Sequence, residues 1–201
     1  MSWPFGALTP LKYGLILADP PWRFVTYSAK GRKKSPDRHY PTMTMNELYR
    51  LPVGQLAAAD CALVMWAYWP LLHEALGLAA AWGFTFKSGG AWAKRSKSGR
   101  SWAFSTGYLM RGASEPFIIA TLGRPDFVSR SERNLIVAPV REHSRKPDEM
   151  HESLERLFPD VWRCELFARS TRASWDSWGD QVNRFTPEEA NVYPIARMGD
   201  V

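Results

Sequence analysis

Cysteine is nearly absent from this sequence: among 201 residues there are two, Cys61 and Cys164, far apart and with no second cysteine at metal-ligand spacing. That excludes a disulfide framework and a cysteine-built zinc site, and it suits a reducing compartment. Both thiols are expected in the core. The four histidines are scattered, so no metal is expected. Long hydrophobic runs are missing as well. Nothing approaches bilayer-spanning length, and the opening "MSWPFGALTP" has no signal-peptide pattern. A cytoplasmic protein with no membrane contact is the expectation. Internal repeats and low-complexity tracts are absent, so the chain reads as a single domain over 1–201.

Several common site signatures are also lacking. There is no phosphate-cradling G-x-x-x-x-G-K-S/T loop, no G-x-G-x-x-G and no G-x-S-x-G elbow. Neither cysteine follows a proline, which removes the Pro-Cys nucleophile that serves methylation at cytosine C5. Acidic residues are scarce in two stretches. Arg23, Lys30, Arg32, Lys33, Lys34 and Arg38 face Asp37 alone, and Lys94, Arg95, Lys97 and Arg100 face no acid. With a net charge of +6, such clusters suit a polyanion, although a solvated loop has the same composition.

Tryptophan is what the sequence has in abundance, with 10 residues from Trp3 to Trp178. Some belong to a core, and flat aromatics also make platforms for a planar base. Those on the surface leave room for a homodimer or a partner subunit.

The pattern along the chain alternates short apolar runs with helical periodicity. "YGLILA" (13–18) predicts a strand buried on both faces, and "CALVMWAY" (61–68) another. Strands are also predicted at 84–93, 115–123, 134–140 and 161–169. "TMNELYRLP" (44–52) predicts a helix capped by Thr44 with Glu47 at capping-box spacing. Pro70 opens a second helix that Gly83 closes. The clearest helix is 146–159, with Met150, Leu154, Leu157 and Phe158 on one face and Asp148 and Glu149 compensating its dipole. Long basic loops are read at about 25–41 and 93–107. This is an α/β pattern with a mostly parallel sheet, in which ligands bind beyond the carboxyl ends of the strands.

One such end reads Asp19-Pro20-Pro21-Trp22. Two prolines forbid further strand pairing and fix a turn. A carboxylate and a carbonyl held there could both accept N–H hydrogens from an exocyclic amine, favouring the positive charge it develops as it attacks a methyl donor. Trp22 could stack on the base. The alternative is a plain diproline turn followed by a core tryptophan.

"ADPPW", "YPTMTMNEL" (40–48), "AWGF" (81–84), "HSRKPDE" (143–149), "ELFAR" (165–169) and "WGDQ" (178–181) occur in that order. In these the sequence resembles the adenine-N6 methyltransferases that include the catalytic subunit of the eukaryotic mRNA adenosine methyltransferase, and it looks like a compact bacterial or phage member. The resemblance implies a Rossmann-like fold with permuted motif order and S-adenosylmethionine as cofactor. It implies that Asp19, Pro20, Pro21 and Trp22 hold the target amino group, and that the methyl moves by in-line displacement.

By the same resemblance, Tyr40 lines the acceptor pocket and Glu115 lies near it. Lys146 meets the carboxylate end of the cofactor, a role that also fits a cation at a helix start. Glu165, Phe167 and Arg169 belong to a cofactor-contacting strand end, with Arg169 placed for ribose or carboxylate. Asp180 stands where the family usually has Asn; both accept from a ribose hydroxyl, but Asp cannot donate. Gln181 follows the pattern. Residues 5–8 are expected to reach the adenine end of the cofactor through backbone. Histidine is not needed for this chemistry, so His39 and His143 are assigned no role.

The expected partner is nucleic acid, DNA before RNA, with Lys33 and Lys34 among the phosphate-gripping cations. Three other readings stay open at this point: a catalytically silent nucleic-acid-binding partner, methylation of RNA adenine, and methylation of cytosine N4 or of a small amine.

Overall fold

β1 (Tyr13–Ala18) is buried at all six positions and sits between two parallel neighbours, β2 (Ala57–Trp66) and β6 (Arg163–Leu166). Its alternating side chains serve two different cores. Ile16 and Ala18 join one cluster, together with Leu48, Ala75, Leu78 and Ala79 from two helices. Leu15 and Leu17 join the other, with Met150, Leu154 and Phe158. A strand covered on both faces needs apolar residues at every position, which is why "YGLILA" has no polar alternation. The computed structural model describes residues 3–23, 42–142 and 144–185.

The helices are α1 (Met45–Arg50), α2 (Leu72–Ala81) and α3 (Glu149–Leu157). α1 and α2 cover one face of the sheet and α3 the other. Thr44 caps α1 as its sequence predicts: its Oγ1 accepts from Glu47 N–H at 3.3 Å, while Glu47 Oε2 accepts from Thr44 N–H at 2.7 Å. Pro52 follows α1 and leads into a 3-10 turn, Val53–Gln55. Pro70 lies in a second 3-10 turn, Trp69–Leu71, so α2 starts slightly later than its proline suggests.

The remaining strands are β3 (Thr85–Arg95), β4 (Ser114–Leu122), β5 (Leu135–Pro139) and β7 (Asp176–Trp178). The sheet order is β5-β3-β4-β2-β1-β6-β7. β4 runs antiparallel to β2 and β3, and the other pairings are parallel. A mostly parallel sheet with helices on both faces is the Rossmann-like α/β arrangement that the sequence predicts. Among the described residues no helix is long and apolar enough to cross a membrane.

Three boundaries differ from expectation, each with a local cause. β2 begins at Ala57 because Ala57 pairs with Tyr13, four positions before the apolar run starts at Cys61. β6 stops at Leu166, where Phe167 takes a positive φ of 62° and turns the chain. β3 runs on to Arg95, so Lys94 and Arg95 are strand residues and not part of a basic loop. β7 was not anticipated: three half-buried residues carry no periodicity to read. The segment 25–41, with Lys33, Lys34 and Tyr40, lies outside the described residues, as does His143.

Candidate active site

Asp19 directly follows β1, and its N–H donates to the Leu166 carbonyl of β6 at 3.3 Å. The prolines then turn the chain. The Pro20 carbonyl accepts from Trp22 N–H at 2.8 Å, and the Pro21 carbonyl from Met43 N–H at 3.0 Å. A carbonyl oxygen has two lone pairs, so each keeps capacity for another donor. Trp22 differs from the stacking platform expected. It is 7% exposed within the α1/α2 core, and its indole N–H donates to the Trp66 carbonyl at 3.3 Å. It therefore fixes the turn from below and offers solvent almost no ring face.

The Asp19 carboxylate meets Lys146, whose Nζ lies 2.8 Å from both Oδ1 and Oδ2. The same Nζ is 2.9 Å from Glu115 Oε1, and Glu115 Oε2 is 2.7 Å from Lys94 Nζ. An ammonium has three N–H donors, and these contacts occupy all of them. Two indoles lie against the cations: Lys146 stands 5.6 Å from the Trp66 ring centre and Lys94 4.8 Å from that of Trp92. Lys146 lies three residues before α3, and its carbonyl accepts from Arg141 at 2.6 Å. Its partners are thus two protein carboxylates, Asp19 and Glu115.

Burial pushes the Asp19 carboxyl above its ordinary value; Lys146 and Arg169 pull it back down, and Glu115 adds to the rise. For Glu115 burial also opposes ionisation, but Lys146 and Lys94 outweigh it and bring the carboxyl to about 2. Burial disfavours the Lys146 charge too, yet Asp19 and Glu115 together hold its ammonium well above the usual lysine range. The Tyr68 hydroxyl is raised by burial and by the nearby Glu115 charge. With all four groups ionised the network is electrically balanced, two carboxylates against two ammoniums.

The other half of the site runs from β6 to residue 185. Ala168 N–H donates to the Trp178 carbonyl and Phe185 N–H to the Arg169 carbonyl, so 167–169 and 178–185 lie side by side. Phe167 packs edge-on against Trp178 at 5.3 Å between ring centres, and Trp178 against the fully buried Phe5 at 5.1 Å. Gly179 lies so close to Ala168 that a Cβ there would come within 2.5 Å of its carbonyl oxygen. Asp180 is exposed, and Gln181 Oε1 accepts from Arg184 at 2.9 Å.

Glu165 points to the opposite face. Its Oε2 pairs with His151 Nε2 of α3 at 3.0 Å, so this carboxylate fastens a helix to the sheet. Arg169 lies close enough to Asp19 to lower its pKa, which joins the two halves of the site. A cation, a carboxylate and an amide along one edge beside an aromatic wall and a close-packed glycine fit a nucleoside that carries an amino acid.

The sequence model of the MT-A70 family matches residues 13–181. The chain belongs to the MT-A70 family. It is similar to the type II methyltransferase M.MunI of a Mycoplasma species, at 28% identity over 195 residues, covering 89% of this chain and 81% of that protein. It is also similar to the Arabidopsis thaliana N(6)-adenosine-methyltransferase MT-A70-like protein, at 30% identity, covering 85% of this chain and 24% of the relative. The human N(6)-adenosine-methyltransferase catalytic subunit METTL3 is 27% identical, with 86% and 28% covered. The chain thus spans about a quarter of the length of the plant and human relatives.

In this MT-A70 chain Asp19, Glu115, Lys146 and Arg169 come together from four separate segments, and several of their partners carry no motif. Lys94 was absorbed into a basic cluster, although the 21 positions to Glu115 are those of two paired strands. Trp66 and Tyr68, at the end of β2, resemble any core aromatic. His151 sits on the buried face of α3, three positions before Leu154, where helical spacing alone could have flagged it.

Proposed function

We propose that this chain transfers a methyl group from S-adenosylmethionine to the N6 amino group of adenine in nucleic acid, with duplex DNA as the acceptor. The observation that carries the reading is the Asp19 carboxylate, half-buried just beyond the end of β1 and clamped on both oxygens by Lys146. Adenine's amino nitrogen is a poor nucleophile because its lone pair is delocalised into the ring. Asp19 and the Pro20 carbonyl accept its two N–H hydrogens and orient the nitrogen. They also stabilise the positive charge that grows on it, and contacts from a partly desolvated carboxylate are worth more than the same contacts in water. Lys146 keeps Asp19 ionised and in place while leaving outer lone pairs for the amine.

S-adenosylmethionine supplies the methyl group when bound. On this reading Arg169 holds its carboxylate, Asp180 and Gln181 take its ribose hydroxyls, and Phe167 and Trp178 wall its base. Family membership and the named activities of the similar proteins support adenine N6 as the target atom. The choice of DNA is favoured because the match to M.MunI extends over 81% of that protein, against 24% and 28% of the plant and human adenosine methyltransferases. The human relative is named as a catalytic subunit, which keeps a partner subunit as part of the proposal.

The test supplies purified protein and methyl-labelled S-adenosylmethionine to separate pools of unmethylated duplex DNA, single-stranded DNA and RNA, then digests each to nucleosides. Label in N6-methyldeoxyadenosine from the duplex supports the reading. Label in N4-methylcytosine would overturn the target, and label confined to RNA would overturn the acceptor. Cofactor binding without transfer to any pool would favour the silent-partner reading.

A further inference from the structure

The connection between β3 and β4, residues 96–113, carries apolar side chains in solvent that core building does not explain. Trp102 and Phe104 are exposed, and Tyr108, Leu109 and Met110 are 109, 88 and 81% exposed. The last three occupy the tip of a pinned turn. Below them Ser105 N–H donates to the Gly112 carbonyl at 2.7 Å, and Gly107 is so near the Met110 carbonyl that a Cβ would come within 1.8 Å. An apolar triplet is thus held outward on a tight loop.

The same connection is rich in cations. Arg95 donates to the Gly99 carbonyl at 2.9 and 3.0 Å and lies 4.5 Å from the Trp102 ring centre; Arg111 lies 4.9 Å from that of Phe104. From 94 to 114 the chain holds Lys94, Arg95, Lys97, Arg100 and Arg111 and not one carboxylate. Two such hairpins facing each other would repel, whereas a polyanion complements them. The hairpin also springs from the active site itself. Lys94 N–H donates to the Ala113 carbonyl at 2.8 Å, and Lys94 Nζ contacts Glu115, which leads through Lys146 to Asp19. Its strand β3 points the same way as β1, so the loop projects from the end of the sheet where Asp19 lies.

We propose that this hairpin opens duplex DNA at the target adenine. Tyr108, Leu109 and Met110 enter the base stack as a wedge, and Lys97, Arg100 and Arg111 hold the flanking phosphates. A base inside a duplex cannot reach a carboxylate set at the end of a strand, and an apolar wedge fills the gap that the extruded base leaves. The proposal rests on the nucleic-acid reading above and names the element that performs its access step.

The test measures binding by anisotropy to two fluorescein-labelled, adenine-rich duplex DNAs, one fully paired and one with abasic sites opposite the adenines. The Y108S/L109S/M110S variant should lose at least about tenfold in affinity for the paired duplex, and less than about threefold for the pre-opened one. Its melting temperature and cofactor affinity should match the wild type, because all three side chains lie in solvent. Lys97→Gln with Arg100→Gln should weaken both duplexes alike and flatten the salt dependence. Equal losses of the tip variant on both duplexes, or none, would overturn the wedge. So would a change from dimer to monomer with paired-duplex affinity unchanged, since the tip would then be a protein interface. None of these readouts needs methyl transfer, so failure of the wedge and failure of the methylation reading remain distinguishable.

Discussion

Lys146 Nζ is equidistant from the two carboxylate oxygens of Asp19, 2.8 Å from each, although 127 residues separate them in sequence. Removing two charges from water costs several kcal/mol per ion, and attraction between them repays this only when geometry is good and the remaining hydrogen-bonding capacity is met. Glu115 and Lys94 extend the pair to a balanced quartet. The arrangement costs stability and holds an ionised acceptor where a substrate amine is expected.

Asp19→Asn and Lys146→Met should therefore move stability in different directions. The first removes a charge that burial disfavours and leaves Lys146 paired with Glu115, so the melting temperature should stay level or rise. The second leaves Asp19 half-buried without its main cation and should cost up to about 3 kcal/mol. Thermal denaturation of both proteins at neutral pH checks this. A larger loss in Asp19→Asn than in Lys146→Met would contradict the charge argument.

The fold was legible because its strongest signals are local. The all-apolar "YGLILA", the Thr44–Glu47 capping box and the Met150/Leu154/Phe158 face each depend on spacing within a few residues. Asp19 was legible as a carboxylate with no structural need to end a strand. What Asp19 touches was not, because Lys146, Glu115 and Lys94 arrive from three distant segments. Glu165 shows the limit from the other side. Its motif resembles a cofactor edge, while strand alternation turns its side chain toward His151. Trp22 likewise belongs to a motif but lies within the core.

Transfer should fail on acidification above the ordinary Asp range, because the amine needs an ionised acceptor and burial raises the Asp19 pKa from 3.8. Glu115 contributes to that rise, so Glu115→Gln should shift the acid limb of kcat/KM to lower pH. Rate profiles of both proteins, taken where circular dichroism shows them folded, check the direction. A shift to higher pH would refute the coupling.

Glu115 also predicts an acid-sensitive share of stability. Its folded pKa, about 2, lies below the ordinary 4.5, so the folded protein binds this proton less tightly than the unfolded chain does. The contribution is present above pH 4.5 and is lost as pH falls toward 2. Stability of the wild type relative to Glu115→Gln should decline across that window, read from denaturant midpoints at each pH.

Gly179→Ala should impair cofactor binding without touching the acceptor side. The added Cβ would meet the Ala168 carbonyl at 2.5 Å, a backbone atom that cannot swing aside, and the segment carrying Asp180 and Gln181 must shift away from 167–168. Calorimetry should give an S-adenosylmethionine affinity at least about tenfold weaker. Unchanged affinity would remove residues 179–181 from the proposed cofactor edge.

The most direct test of the central claim is single-turnover methyl transfer by wild type and Asp19→Asn at saturating S-adenosylmethionine, with N6-methyldeoxyadenosine quantified after digestion of the DNA. The amide keeps the shape of the side chain and removes the charge that should stabilise the attacking nitrogen. A rate lower by about 10²–10³-fold or more, with cofactor affinity within about threefold of wild type, is the predicted result. A variant that transfers at close to the wild-type rate would show that the carboxylate of Asp19 does not carry the chemistry.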